Sequence, residues 1–431
     1  MRRHILSIQI LALFGLLLAA PARAQEGSVG PPLAVGEYVE QVLDRNPGLS
    51  SMVSAIEAAE ERVPQAGALP DPMVGFSLMS LPLDTFVFDQ EPMTQKQLTL
   101  SQAFPAPGVR GARSTVAEAG VETSRLMLDR TREELRKQAR LTWLDLYFLD
   151  ERIRVVQENQ ALLDQFVQVA ETRYRTGSGI QQDVLKAELE RSRLTERLIG
   201  LEEQRSGLVS RLNALRDMPL STPVRAAPIT AEGGQMLAPA DSLAVRAMEH
   251  SPALLVARAE RERRQAAIDL AERMRLPNWS ASASYGQRDG GRPDFLTAMV
   301  SVQVPLWAGS KQDRAVREEE ARLTQRDYRI RDMELQIQGE VERLVAELRR
   351  TRRLTDLYTE QILPQSEGVL SSTLSGYRVD QVDFLTLLSA QTTLFNYQLE
   401  AVRVEVDARR RTAELEALVG DPARRDAPQQ E

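Results

Sequence analysis

The 431-residue chain carries 54 basic and 61 acidic side chains, a formal net charge of −7, no cysteine and two histidines. Without cysteine there is no disulfide, thiol nucleophile or thiolate zinc site, and the histidines are too few for an imidazole-built centre. The acidic balance argues against a nucleic-acid partner. No Gly-rich phosphate loop or nucleophile elbow is present, so no catalytic residue, metal site or cofactor is expected.

Met1 to Ala24 reads as a secretory signal. Arg2 and Arg3 give the positive start, Ile5 to Ala20 the apolar core, and Ala22-Arg23-Ala24 the small-residue cleavage site. The competing reading is an anchor helix, which the short core disfavours. No other stretch approaches the roughly 20 apolar residues of a spanning helix. Cleavage removes His4 and three arginines, leaving His250 alone and moving the charge from −7 to about −10. No cysteine is present to accept an N-terminal lipid.

After a Pro/Gly-containing lead, Leu33 to Arg62 reads as a helix pair interrupted at Asn46-Pro47. Leu69-Pro70-Asp71-Pro72 ends the helical pattern. Val74, Phe76 and Leu78 then alternate with small or polar residues, as do Leu98 and Leu100, which is strand period two. These strands form a hairpin over 73–104, closed by Phe104-Pro105-Ala106-Pro107-Gly108. Long helices over 109–217 follow: a rod to Gly177, a turn at Thr176-Gly177-Ser178-Gly179, and a return run to Leu215.

A linker over 219–240 leads into a second copy of the same order. Asp241 to Arg275 is helical, with Ser251-Pro252 matching Asn46-Pro47, and a hairpin over 279–304 carries Trp279, Ala281, Ala283, Tyr285, Val300 and Val302 in alternation. Long helices over 311–419 are rich in Glu, Arg, Leu, Gln and Ala, strong helix formers. The part before Gly376 predicts a rod of roughly 100 Å. Residues 33–218 and 241–420 are therefore two structural repeats with a period of about 200 residues, and 421–431 reads as a flexible tail.

Such a rod needs partners. Ala187, Leu194, Leu201, Leu208 and Leu215 recur every seven residues, as do Leu387, Leu394, Ala401, Ala408 and Leu415. That repeat marks a coiled-coil seam. Leu388, Phe395 and Val402 form a second seam beside it. A helix with two seams touches neighbours on both sides, as in a closed ring of helices; an ordinary antiparallel bundle is the alternative.

Each strand has one apolar and one polar or small-residue face, the pattern of a membrane β-barrel. Four strands cannot close a barrel, and open edges are forbidden in lipid. In a membrane, several chains must share one barrel.

The twofold repeat resembles the TolC-like outer-membrane efflux proteins. The resemblance rests on the Pro after Asn46 or Ser251, on Arg173-Tyr174-Arg175-Thr176-Gly177 leading to Asp183-Val184-Leu185, and on Gly376-Tyr377 with Phe384 to Leu394. It implies a homotrimer: a twelve-stranded outer-membrane β-barrel, four strands per chain, continuing into a periplasmic α-helical barrel. It also implies a passive exit duct that works with a periplasmic adaptor and an inner-membrane pump. Leu69-Pro70-Asp71-Pro72-Met73 and Phe104 to Gly108 are similar to stretches in channels of heavy-metal resistance–nodulation–division pumps. Met73, Met79 and Met93 surround the first hairpin, and thioethers suit Cu(I); packing methionines are the plainer reading. Protein secretion through a TolC-like channel, a soluble periplasmic coiled-coil or adaptor protein, and an acid/base enzyme on a helical scaffold remain alternatives.

In TolC-like channels a Tyr on the inner return helix is tied to a carboxylate on the neighbouring hairpin. By resemblance these are Tyr377 and Asp183. Rings of Asp narrow the mouth of some members; the matching positions here hold Thr386 and Ser389. Asp380 stands where the family often has Gly. Asp380 and Asp383, repeated by symmetry, are candidates for a substitute acidic rim; the alternative is that both cap the return helix, as Asp commonly does.

The leader yields one expectation. N-terminal sequencing of the exported protein should begin at Gln25, and a mature protein starting at Met1 would make the anchor helix the correct reading.

Overall fold

The computed structural model describes residues 30–229 and 238–420. The leader, part of the linker and the tail over 421–431 lie outside the described residues.

The chain runs β1 (Pro32–Leu33), α1 (Val35–Arg45), α2 (Pro47–Glu60), α3 (Arg62–Gly67), β2 (Met73–Met79), β3 (Gln95–Phe104), α4 (Val109–Arg175) and α5 (Gln181–Leu215). The second half runs β4 (Arg225–Ala226), α6 (Ala240–His250), α7 (Pro252–Arg273), β5 (Asn278–Gln287), β6 (Phe295–Gln303), α8 (Gln312–Leu357), a π-helical turn (Tyr358–Ile362), α9 (Leu363–Arg378) and α10 (Phe384–Val419). Asn46 separates α1 from α2. Its side chain accepts from the Gly48 N–H at 3.0 Å and donates to the Leu215 carbonyl at 2.9 Å, and Pro47 takes the first helical position, where its missing N–H costs nothing.

The four hairpin strands form one antiparallel sheet in the order β2-β3-β5-β6. Its register places Val74, Leu100, Ala283 and Ala298 in one row and Phe76, Leu98, Tyr285 and Leu296 in another. All the apolar alternations therefore fall on a single face. The opposite face carries Gly75, Thr99, Ser284 and Thr297 in one row, with Thr99 and Ser284 hydroxyls 2.9 Å apart. Phe104 stacks on Trp279 at 4.0 Å at one end of the apolar face. No other described part of the chain covers this face: Phe76 is 69% exposed and Val300 70%.

Two helical hairpins carry the rest. The 67-residue α4 spans about 100 Å and pairs with α5. The rod expected over 311–375 is α8 and α9 joined by the π turn. Pro364 has no N–H to give the carbonyl four residues back, and the wider π turn absorbs that loss without ending the helix. On α5, Ala187, Leu194 and Leu201 of the heptad series are buried; on α10, Leu387, Leu394 and Leu415 are, together with Leu388 and Phe395 of the second seam. All of these except Leu415 pack with Val156, Leu163 and Phe166 of α4 in one core, and Leu415 packs with Val341, Leu344 and Leu348 of α8 in another. Inside it, Gln391 donates to Asn159 at 3.0 Å and Asn159 to Gln398 at 2.9 Å, a buried amide chain joining α4 to α10.

A second core surrounds Tyr38, Val42, Trp143, Leu146 and Leu212. Trp143 donates its indole N–H to the Leu33 carbonyl at 2.9 Å, and Tyr38 its hydroxyl to the Leu212 carbonyl at 3.1 Å. Here β1 pairs in parallel with β4, a strand inside the segment read from sequence as linker. Trp143→Ala removes both the packing and the Leu33 anchor. It should cost about 3–5 kcal/mol, read as a lower thermal midpoint of the helical circular dichroism signal; an unchanged midpoint would count against this core.

Candidate functional site at the paired hairpin turns

The turn between α4 and α5 and the turn between α9 and α10 lie side by side. Both close in the same way. After α4, the Ser178 N–H bonds the Arg173 carbonyl at 3.0 Å and the Gly177 N–H bonds the Tyr174 carbonyl at 3.1 Å. After α9, the Gln381 N–H bonds the Gly376 carbonyl at 2.9 Å and the Asp380 N–H bonds the Tyr377 carbonyl at 3.3 Å. Each is a Schellman cap, which needs a left-handed residue just past the helix. Gly177 supplies it in the first copy at φ +77° and Asp380 in the second at φ +65°. Gly376 is required for another reason: a Cβ there would come within 2.8 Å of the Val382 side chain.

Tyr377 is 2% exposed. Its hydroxyl donates to the Asp183 carboxylate at 3.2 Å, and its ring packs against Phe384 at 5.5 Å. Burial first, and then the Asp183 charge, push the phenol up to about 12. It therefore stays a protonated donor throughout the neutral range. Of the expected site residues, Asp183 and Tyr377 are thus in contact.

The two other aspartates have partners within this chain. Asp383 precedes the first residue of α10 and accepts from the Thr386 N–H at 2.7 Å; its hydrogen bonding to Thr386 holds the carboxyl below the usual range. That is the capping role. Asp380 does not cap: its carboxylate is paired with Arg173. The acidic rim expected from Asp380 and Asp383 would therefore consist of one neutralised and one capping carboxylate. Thr386 and Ser389 lie together with Val369, Thr373, Leu385 and Thr393 along a groove of about 700 Å³ between α9 and α10.

The residue that sequence reasoning passed over is Arg173. It lies inside the quoted Arg173-Tyr174-Arg175 run, but no periodicity shows which of these arginines turns toward the second hairpin.

Among the described residues no helix is long and apolar enough to cross a membrane, and no group of three His, Asp or Glu side chains is placed to hold a metal. The sheet, with its uncovered apolar face, is the part built to meet lipid. The sequence profile described as outer membrane efflux protein matches residues 38–216 and 243–421, one segment for each structural repeat. The chain belongs to the outer membrane efflux protein family. It is 22% identical over 378 residues to the cobalt-zinc-cadmium resistance protein CzcC of Cupriavidus metallidurans, with 86% of each chain covered. The fold is similar to the CusC channel, with a TM-score of 0.75 at 13% identity over 90% of this chain and 92% of that one. It is also similar to the Vibrio cholerae outer membrane protein VceC, with a TM-score of 0.70 at 19% identity over 90% of this chain and 96% of that one. The same holds for the open state of the Neisseria gonorrhoeae MtrE outer membrane channel, with a TM-score of 0.70 at 14% identity over 92% and 91%. The protein is an outer-membrane efflux protein.

Placed in the outer membrane, the two faces of β6 should respond differently to charge. Ala298→Arg, on the apolar face at mid-strand, should cost roughly 2–4 kcal/mol, and Thr297→Arg, on the polar face beside it, much less. Heat-modifiability of the purified protein on gels reads this; equal tolerance at both positions would count against a lipid-facing sheet.

Proposed function

We propose that three copies of this chain close one twelve-stranded barrel and one twelve-helix tunnel. The observation that carries this reading is the pair of open edges, β2 and β6, on a sheet whose apolar face is uncovered. Lipid does not tolerate unpaired backbone groups, so β6 of one copy pairs with β2 of the next. The two helical hairpins of each chain, α4–α5 and α8/α9–α10, then give four rods per copy. The duct is passive. A periplasmic adaptor joins it to an inner-membrane pump of the resistance–nodulation–division type, which supplies the driving force.

The cargo we propose is heavy-metal cations. The CzcC relative is a cobalt-zinc-cadmium resistance protein by name. The polar face of the sheet carries Met73 and Met299 in one cross-strand row, with Met79 near its far end. In a closed barrel this face lines the lumen, where weak thioether contacts suit soft cations in transit. Met93 lies in the loop before β3.

The mouth of the tunnel lies at the paired turns, held by the Asp183–Tyr377 hydrogen bond in each copy. Asp383, three times by symmetry, leaves a modest cation-attracting rim above the hydroxyls of Thr386 and Ser389. A hydrogen bond to a charged group contributes about 1.5–3 kcal/mol. Tyr377→Phe should therefore raise single-channel conductance in planar bilayers, and cross-linking in detergent should trap trimers. A strain lacking the protein should become sensitive to cobalt, zinc or cadmium. Monomers alone on cross-linking would sink the shared barrel; an unchanged conductance would sink the mouth; unaltered metal tolerance with lost drug tolerance would sink the cargo.

A further inference from the structure

The two strand hairpins are copies in register. Met73 pairs with Ser101, and Ser280 with Ser301. The flanking sequences match on the same alignment: Leu69-Pro70-Asp71 with Leu276-Pro277-Asn278, and Phe104-Pro105-Ala106 with Val304-Pro305-Leu306. Inside the chain the end of β3 crosses the start of β5, and that crossing is a finished joint. Phe104 pairs with Trp279 and stacks on it at 4.0 Å. The Ala106 N–H donates to the side-chain carbonyl of Asn278 at 2.8 Å, and Ala106 is 2% exposed.

The matching pieces at the outer edges of the sheet are far from each other within the chain. β6 ends at Gln303 and β2 begins at Met73, at the same end of the sheet but on opposite edges. Leu306 stands in the place of Ala106 and is 75% exposed, as is Trp307 beside it; Leu69 is 41% exposed. The Leu306 N–H does not meet a side chain as Ala106 does. It turns back on the Val304 carbonyl at 3.0 Å, the closure of a three-residue γ-turn. Asp71 stands in the place of Asn278, exposed, and offers a carboxylate where the first joint has an amide oxygen. Each half of a joint is thus present at an open edge, and its complement lies on the other edge.

We propose that Asp71 of one copy accepts the Leu306 N–H of the next, with Leu306 and Trp307 closing over the neighbour's Leu69-Pro70-Asp71-Pro72 turn. The joint between copies then repeats the joint within the chain. This rests on the shared barrel proposed above, and it adds the register and the contact. Repeating the β3–β5 register sets Val304 opposite Pro72 and Val302 opposite Val74 of the next copy. That register keeps Val302 and Val74 together on the apolar face, whereas a slip of one residue would set an apolar face against a polar one. The carboxylate makes the bond charge-assisted. The joint lies at the level of the wall where strand pairing has ended and helix packing has not begun.

The protein has no cysteine, so a disulfide placed in it has no background. Full-length protein carrying Asp71→Cys with Leu306→Cys, oxidised in isolated outer membranes, should shift most chains to a trimer band on a denaturing gel, reversed by reduction. Neither single variant should do so. Ala106→Cys with Asn278→Cys, at the matching place inside the chain, should close without moving the monomer band. Formaldehyde cross-linking of the same membranes tests the shared barrel by itself. Trimers with formaldehyde but no disulfide between positions 71 and 306 overturn the joint alone; monomers in both overturn the shared barrel. Asp71→Asn, which copies Asn278, should keep the temperature at which the trimer dissociates on gels, and Asp71→Ala should lower it. Equal temperatures for parent, Asn and Ala overturn the hydrogen bond. Lipid is the competing occupant for Trp307. In vesicles of brominated phosphatidylcholine, Trp307→Phe should leave the quenchable fluorescence unchanged; a loss of it places Trp307 in the bilayer and overturns the contact.

Discussion

Unpaired backbone at β2 and β6 is the constraint on which the rest of this molecule depends. A peptide N–H or carbonyl left without a partner in hydrocarbon costs several kcal/mol, and each edge strand presents a row of them. The single-sided distribution of Phe76, Leu98, Tyr285 and Leu296 fixes which face meets lipid. The edges then call for pairing partners, which the proposed assembly takes from further copies of the chain. Once the strands of neighbouring copies are joined, the helices continuing from them are brought side by side. Paired rods such as α4 and α10 then need contact surfaces on more than one side. The double seam of α10, with Leu387 and Leu388 both buried, answers that requirement within one protomer.

Long parallel rods have a register problem, because a heptad seam slides by one repeat at little apolar cost. The Gln391–Asn159–Gln398 chain opposes such slippage. Shifting α10 against α4 would leave buried amides without partners, a penalty of about 1–3 kcal/mol for each group. Buried polar residues serve the same register role in coiled coils. The anchoring of α4 through Trp143 and of α5 through Tyr38 fixes the other end. The paired hairpin turns are therefore placed by constraints far from them, and small local contacts suffice to decide how they meet.

The features legible in the sequence were those with a period or a copy. Alternation in Val74 to Leu78 and Trp279 to Tyr285 marked the strands, seven-residue spacing marked the seams, and Asn46-Pro47 with Ser251-Pro252 exposed the duplication. Features without a period were not legible. A two-residue pairing such as β1 with β4 has no pattern to read. The π turn before Pro364 left helical composition intact on both sides. Arg173 is one of many arginines on long polar helices, and only folding reveals that it faces the second hairpin. Asp380 did carry a signal. It occupies the slot that Gly177 fills in the first copy, and a non-glycine residue at a left-handed cap asks for a reason; read as surface charge alone, it suggested a rim, and the ion pair with Arg173 went unread.

Magnitudes rank the contacts around Tyr377. The phenol is buried and donates to a carboxylate, a bond worth about 1.5–3 kcal/mol. An ion pair with one member largely in water is worth about 0–1 kcal/mol, and a cation over a ring as buried as that of Tyr377, where the Arg173 guanidinium lies, about 2 kcal/mol. Asp183 and Arg173 therefore hold the tyrosine with comparable strength, and only the exposed ion pair to Asp380 is weak. Per copy these contacts total about 3–6 kcal/mol, against several kcal/mol for each one of a row of unpaired backbone groups along a barrel edge. In the proposed assembly the paired turns therefore separate before the wall does. An exit channel needs that order of strengths: closure light enough for a docking partner to undo, and a wall that stays shut to lipid and water.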